Sequence, residues 1–277
     1  MQPSEVVRRA AGYLERHHVE SPVANAEVLL AMVLRVDRSG LYRRTQELSS
    51  TEARLFGRAL CRRCAGIPLQ HITGAQGFRR LTLVVHSGVF VPRPETETVV
   101  QVGLAAIQGL RGPNVLDLCT GSGAIALAIA DEHPGAMVVG VDISPAAASL
   151  ALTNAEELGL PITVLLGDLW QAVPPERRGT FDLVITNPPY LEPEERNGLP
   201  MDVQADPRGA LVGGMTMHHR VVMPAPEWLR PGGVFVTEIG DTQGPEVASL
   251  TRAAGLVDVT VHQDLAGRNR AVSGRKP

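Results

Sequence analysis

Apolar positions change their spacing twice along the chain. Between residues 3 and 65 they recur at helical intervals: Val6, Val7, Ala10, Ala11 and Leu14, then Ala26, Leu29, Leu30 and Val33, then Leu55, Ala59 and Leu60. Ser21-Pro22 and Ser49, just ahead of Thr51-Glu52, supply the breaks and helix starts. Over 77–91 the segment GFRRLTLVVHSGVFV is rich in β-branched residues around His86-Ser87-Gly88, which predicts two short strands and a turn. From residue 113 onward, short apolar runs alternate with helical periods. Strands are predicted at 114–118 (NVLDL), 137–142 (MVVGVD), 162–166 (ITVLL), 182–186 (DLVIT) and 233–239 (GVFVTEI), with a last pair near 257–262 and 269–273. Helices fall at about 123–132, 145–158 and 244–254.

Strand–helix alternation of this kind predicts an α/β fold. Its core is a Rossmann-like, doubly wound parallel sheet that takes ligands at the C-terminal ends of its strands. The expected division is a helical domain over 1–75, a β-hairpin linker over 76–92 and a catalytic domain over 93–277. A chain of 277 residues, 44% hydrophobic, can bury one large core and a smaller second one.

Charge refines this picture. The net −3 is uneven: residues 1–80 hold 13 basic and 7 acidic side chains (+6), and residues 81–277 hold 13 and 22 (−9). The basic head is read as a solvated helix surface, with a nucleic-acid or acidic-protein contact as the alternative. Cys61 and Cys64 form a lone C-x-x-C with no second pair or histidine cluster to complete a zinc set, so no metal is expected. Three cysteines without a disulfide framework fit a reducing compartment. The N-terminus lacks an apolar signal core, and no apolar run approaches the roughly 20 residues needed to span a membrane. A cytoplasmic protein with no membrane partner is the expectation.

The candidate chemistry sits at strand ends. Asp117-Leu118-Cys119-Thr120-Gly121-Ser122-Gly123 joins the first strand of the sheet to its helix, where glycines let backbone approach a ligand and the helix start offers N–H groups. Asp142 ends the next strand, 19 residues after Gly123, where a carboxylate can accept both hydroxyls of a ribose. Asp168-Leu169 follows the third strand, in position for an adenine edge and face. These features suit a dinucleotide site as well as S-adenosyl-L-methionine.

Asn187-Pro188-Pro189-Tyr190, directly after the fourth strand, separates the two. The residue before a proline is held extended, and the two prolines fix φ and donate no hydrogen bonds. The result is a stiff edge on which the Asn187 side-chain oxygen and the Pro188 carbonyl can accept both hydrogens of a planar –NH₂ group. Tyr190 supplies a face for it to rest on. Asn187, Pro188 and Tyr190 are therefore the candidate catalytic residues, with Pro189 completing the acceptor site. The methyl donor is already activated by its sulfonium charge, so orientation can replace acid–base chemistry.

With these motifs, Pro68-Leu69-Gln70-His71-Ile72-Thr73-Gly74, Phe90-Val91-Pro92-Arg93-Pro94-Glu95-Thr96-Glu97 and the closing DLAGRNRAVSGR, the chain resembles the HemK-type protein-glutamine methyltransferases, specifically the release-factor branch. The likeness runs over nearly the whole chain. It implies a seven-stranded S-adenosylmethionine-dependent methyltransferase domain and a helical head that grips the protein substrate. It further implies methylation of the glutamine amide in the Gly-Gly-Gln loop of release factors. Residues 119–123, Asp142 and Leu169 would contact the methyl donor, with Asp168 beside them and Asn187 touching both donor and acceptor. Arg93 and Glu95 would support the site. One step departs from the family pattern: after Ala210-Leu211-Val212-Gly213-Gly214 an Asp-Gly-Leu-like step is usual, whereas this chain has Met215-Thr216-Met217-His218-His219. The paired histidines are read as a helix start. Other acceptors stay open: a small-molecule amide, a ribosomal-protein glutamine, or adenine in DNA. A basic path for DNA phosphates is missing from the acidic catalytic half, so direct nucleic-acid binding is not expected.

Overall fold

The computed structural model describes residues 1–199 and 201–277, and the chain divides into two compact units. The first holds residues 1–75 with 200–205, the second 76–199 with 206–277. In the first unit the helical periods form α1 (Pro3–Arg16), α2 (Pro22–Leu34), α3 (Arg38–Arg43), α4 (Ser50–Cys64) and α5 (Leu69–Thr73). Their inward faces, from Val6 and Leu14 to Leu29, Leu30, Phe56 and Ile72, make one core. Ser49 and Glu52 start α4 with a reciprocal capping box, each satisfying the other's backbone N–H. Arg63 donates to the buried Asn25 side chain at 2.8 Å, tying α4 to α2.

The second unit opens with a hairpin that departs from expectation. Strands β1 (Ala75–Phe78) and β2 (Leu81–Val84) turn at Arg79-Arg80 rather than at His86-Ser87-Gly88. Arg79 takes a left-handed φ of 51°, its N–H bonds Glu97 at 3.0 Å, and its guanidinium pairs with Glu132. Val85, Val89 and Val91 are buried without strand pairing; Val89 packs on Ala147 and Leu150, so the valines reflect burial and not a second strand.

Next come α6 (Thr96–Ala106), β3 (Asn114–Leu118), α7 (Ala124–Glu132), β4 (Met137–Asp142), α8 (Pro145–Leu158), β5 (Ile162–Leu166) and β6 (Phe181–Thr186). The short helices α9 (Met201–Gln204) and α10 (Arg208–Leu211), then α11 (Gly214–Val222) and α12 (Ala225–Trp228), lead to β7 (Leu229–Glu238). The chain ends with α13 (Gly244–Ala253), β8 (Val257–Gln263) and β9 (Asn269–Arg275). Seven strands form one sheet in the order β5-β4-β3-β6-β7-β9-β8, parallel up to β7 and antiparallel across β9. The order reverses at β3/β6, the switch point where open α/β sheets bind ligands.

Alternate residues of each strand serve opposite faces. Val115, Leu183, Ile185 and Val236 pack with α6 and α7, while Leu116, Leu118, Val184 and Phe235 pack with α11, α12 and α13. Among the described residues, no helix is long and apolar enough to cross a membrane.

Asn154 on α8 joins three pieces. Its Oδ1 accepts from Val84 N–H at 2.7 Å, and its Nδ2 donates to the carbonyls of Val84 (3.1 Å) and Ser122 (2.9 Å). Asn154→Ala would strand these buried groups, so the unfolding free energy should fall by about 1–3 kcal/mol in urea titrations.

Candidate active site

The register brings the predicted strand ends side by side: Leu118 is level with Val141 on β4 and Thr186 on β6, and Asp142 is level with Leu166 on β5. Cys119, Asp142, Asp168 and Asn187 therefore line one cleft of about 260 Å³, together with Thr120, Gly121, Ser122 and Leu169. Gly123 does not line it but shapes its floor. As the N-cap of α7 it sits at φ 84°, and a Cβ there would meet Ala151 and Leu127 at 3.1–3.3 Å. Gly140 is constrained from outside, since a Cβ would meet Thr120 Oγ1 at 2.9 Å.

At the nucleotide end, Asp142 accepts N–H groups from Gly121 (2.8 Å) and Ser144 (2.9 Å), one on each oxygen. These bonds aim the carboxylate and leave a further lone pair per oxygen, enough for a diol. Burial raises its pKa, opposed by those two N–H groups. Asp168 is an ion-paired carboxylate. Arg220 donates to both its oxygens at 2.8 and 2.7 Å, and Arg220 itself lines the cleft. Leu169 adopts a left-handed φ of 48°, which begins a turn packed on the sheet. Burial also pushes the Cys119 thiol well above its ordinary range, keeping it neutral.

At the acceptor end, Asn187 and Pro189 line the cleft, whereas Pro188 and Tyr190 do not. Pro188 is buried and Tyr190 half-buried. Asn187 Nδ2 donates to Thr96 Oγ1 at 3.2 Å, so its Oδ1 is the oxygen left for a ligand. Tyr190 Oη donates to Glu238 Oε1 at 3.2 Å, and its ring lies parallel to His218, 6.4 Å between centroids. Gln243 completes the support: its Nε2 donates to the Tyr190 carbonyl at 2.9 Å, and its Oε1 accepts from Gly240 N–H and faces His218 Nε2. His218 thus carries its proton on Nε2. It sits in the middle of α11, fully buried, and is not a helix start. Glycine is also required at 213, because a Cβ would lie 2.2 Å from the Pro189 carbonyl oxygen. Arg93 pairs with Asp206, which also accepts from Val91 N–H, so this arginine ties down the loop before α6.

Thr96, Arg220, His218, Gln243 and Glu238 form no motif at fixed spacing, and sequence reasoning missed their roles. The one available signal was a polar residue at the end of a buried strand, as at Glu238.

Two carboxyls at this edge are fully enclosed. Burial pushes Asp117 up to about 7, against the hydrogen bond from Thr120 at 2.6 Å. Glu238 is likewise pushed to about 7 by burial, against the Thr96 hydroxyl, Arg270 and Tyr190. Below the unfolded Asp117 value of 3.8 both states are protonated; above about 7 both are ionised and the folded state carries a buried charge. Stability is therefore lost as pH rises through that window. The decline in unfolding free energy from pH 5 to pH 8 should be smaller in Asp117→Asn than in wild type, by on the order of 1–3 kcal/mol. Equal declines in the two proteins, read from denaturant titrations at the two pH values, would contradict this.

Comparison with known proteins fits this geometry. The PrmC N-terminal domain model matches residues 5–74, and the methyltransferase small domain model matches 80–203. A release factor glutamine methyltransferase from Moorella thermoacetica is 42% identical over 274 residues, 96% of this chain and 94% of its own. One from Geobacter sulfurreducens is 38% identical over 272 residues, 95% and 93% of the two chains. Among solved structures, the T. thermophilus 16S rRNA N2 G1207 methyltransferase, in complex with AdoMet and guanosine, aligns with a TM-score of 0.54. It is 24% identical over 73% of this chain and 50% of its own, a likeness of fold. With its two matched domains, its seven-stranded sheet and full-length relatives of this identity, the chain belongs to the release factor glutamine methyltransferase family, S-adenosylmethionine-dependent protein-(glutamine-N5) methyltransferases.

Proposed function

We propose that this chain methylates the side-chain amide nitrogen of the glutamine in the Gly-Gly-Gln motif of peptide chain release factors. The observation that carries the reading is Asn187: with Nδ2 engaged by Thr96, its Oδ1 meets the cleft as an acceptor for an amide N–H. Pro188 and Tyr190 stand behind the cleft lining, so the Pro188 carbonyl would serve as second acceptor, and the Tyr190 ring as resting face, for a side chain that enters along the N-P-P-Y edge. A glutamine between glycines suits such an edge, since its neighbours carry no side chains to clash.

S-adenosylmethionine, when bound, supplies the electrophilic sulfonium methyl. Asp142 would accept the ribose hydroxyls, Asp168 and Leu169 would border the adenine, and residues 119–123 would follow the remainder. Asn187 would hold the glutamine nitrogen in line with the methyl. Orientation of this kind contributes up to about 7–11 kcal/mol. The amide N–H becomes more acidic as its lone pair is committed, so the Asn187 bond tightens in the transition state and lowers the barrier. The proton then leaves to water.

Incubating the enzyme with labelled S-adenosylmethionine and either an intact release factor or duplex DNA, followed by mass-spectrometric site mapping, tests the reading. Label on the Gly-Gly-Gln glutamine and none on DNA is the expected result; label on DNA, or on another residue of the factor, would refute it.

Two substitutions should separate the ends of the site. Asp142→Ala should weaken S-adenosylmethionine binding by calorimetry, each lost bond to the charged acceptor being worth roughly 1.5–3 kcal/mol. Asn187→Ala should largely keep that affinity and lose about 10²-fold or more in single-turnover rate.

A further inference from the structure

Thr96 opens α6, where a buried hydroxyl ordinarily caps the helix. Here no side-chain cap forms at that end, and the backbone N–H of Thr96 is satisfied by the Arg93 carbonyl at 3.1 Å. Thr96 is nonetheless only 3% exposed, and its hydroxyl meets the Asn187 side chain from 91 residues away. Both residues line the cleft. Glu238 is near enough for the Thr96 hydroxyl to favour its charged form, yet its Oε1 accepts from Tyr190 and its Oε2 has no hydrogen-bond partner.

A hydroxyl carries one proton. Here the Thr96 oxygen uses a lone pair to accept from Asn187 Nδ2 at 3.2 Å, and its own proton points elsewhere. The Asn187 amide then has to present Nδ2 to Thr96 and Oδ1 to the cleft. Turned the other way, Nδ2 would confront the hydrogens of an incoming –NH₂ group, donor against donor. One hydroxyl thus decides which atom of Asn187 the substrate meets.

We propose that Thr96 is a positioning residue for methyl transfer: by accepting the Asn187 side-chain N–H, it holds Asn187 Oδ1 toward the acceptor nitrogen. This rests on Asn187 holding that nitrogen, as read above. Valine has the shape of threonine without the hydroxyl; serine keeps the hydroxyl without the methyl.

Thr96→Val and Thr96→Ser in the full chain provide the test, with a release factor as acceptor. In Thr96→Val, kcat should fall by about 10- to 100-fold, while KM for the protein and the calorimetric Kd for S-adenosylmethionine stay within about threefold. Thr96→Ser should recover kcat to within about threefold of wild type. A second readout needs no acceptor. In ¹⁵N-labelled protein the Asn187 side-chain NH₂ pair, identified by its loss in Asn187→Ala, should move in Thr96→Val and return in Thr96→Ser. The proposal is overturned if Thr96→Val keeps wild-type kcat with that pair unmoved, if serine is as slow as valine, or if cofactor affinity and thermal stability fall in step with kcat. A wild-type enzyme that leaves release factors unmethylated would instead sink the substrate assignment, and the NH₂ resonances would still decide the role of Thr96.

Discussion

A stretch of chain with two consecutive prolines cannot hold itself in place by backbone donors. Pro188 and Pro189 contribute no N–H, so the edge that meets the acceptor has to be fixed from both ends and from behind. Upstream, Asn187 hangs on Thr96, and Thr186 bonds the Leu118 carbonyl at 2.7 Å across the switch point. Downstream, Gln243 grips the Tyr190 carbonyl, and Leu191 pairs with the backbone of Leu211 and Gly213. The bare face of Gly213 lets that partner segment close against the Pro189 carbonyl. The stiffness that makes the edge useful is what makes these supports necessary. They come from α6, β3, the turn before α13 and the segment ahead of α11, and so the fold as a whole sets the site.

The legible part of this fold and site follows from local causes. Central parallel strands are buried on both faces, so NVLDL, MVVGVD and DLVIT read as short apolar runs whose ends point to the ligand edge. Glycines at left-handed positions and prolines after an asparagine are likewise local, and of the residues they single out 119–122, Asn187 and Pro189 line one cleft. What escaped was decided across the chain. The hairpin turned at Arg79 because Glu97 and Glu132 satisfy that arginine there, and the valines beyond it were buried without pairing. Arg220, the partner of Asp168, lies 52 residues away on α11, and no local pattern links the two. Tyr190 and Pro188 read as cleft lining, yet the tyrosine ring is drawn back onto His218 and its hydroxyl onto Glu238.

Burying Asp117 and Glu238 at the same sheet edge costs stability at neutral pH, and each is matched to a polar group rather than to a full salt bridge. Thr120 bonds Asp117 and so holds the loop whose backbone N–H groups face the donor; Tyr190 and Thr96 lean on Glu238 beneath the acceptor edge. In both places a carboxylate behind a hydroxyl fixes which way that hydroxyl's proton points. A methyl transfer that relies on orientation gains from such one-way hydrogen bonds, because a group that can flip offers the substrate a donor as often as an acceptor.

The departure at Met215–His219 falls on this support and leaves the polar edge itself unaltered. Within α11, Met217 and Arg220 turn to the cleft, Arg220 holding Asp168 at the nucleotide end. His218 turns the other way, into the packing behind Tyr190 at the acceptor end. Residues three apart on a helix share a face, so 217 and 220 move as one, and 218 moves with them as part of a rigid turn. A single short helix is therefore in contact with both halves of the site. Burial keeps the His218 pKa below its ordinary value, so this histidine meets Tyr190 as a neutral ring, where an imidazolium would need a counter-charge that the neighbouring Gln243 cannot supply. The change from the family's usual residues thus bears on how firmly Tyr190 is backed and leaves the Asn187-Pro188-Pro189-Tyr190 segment itself unchanged.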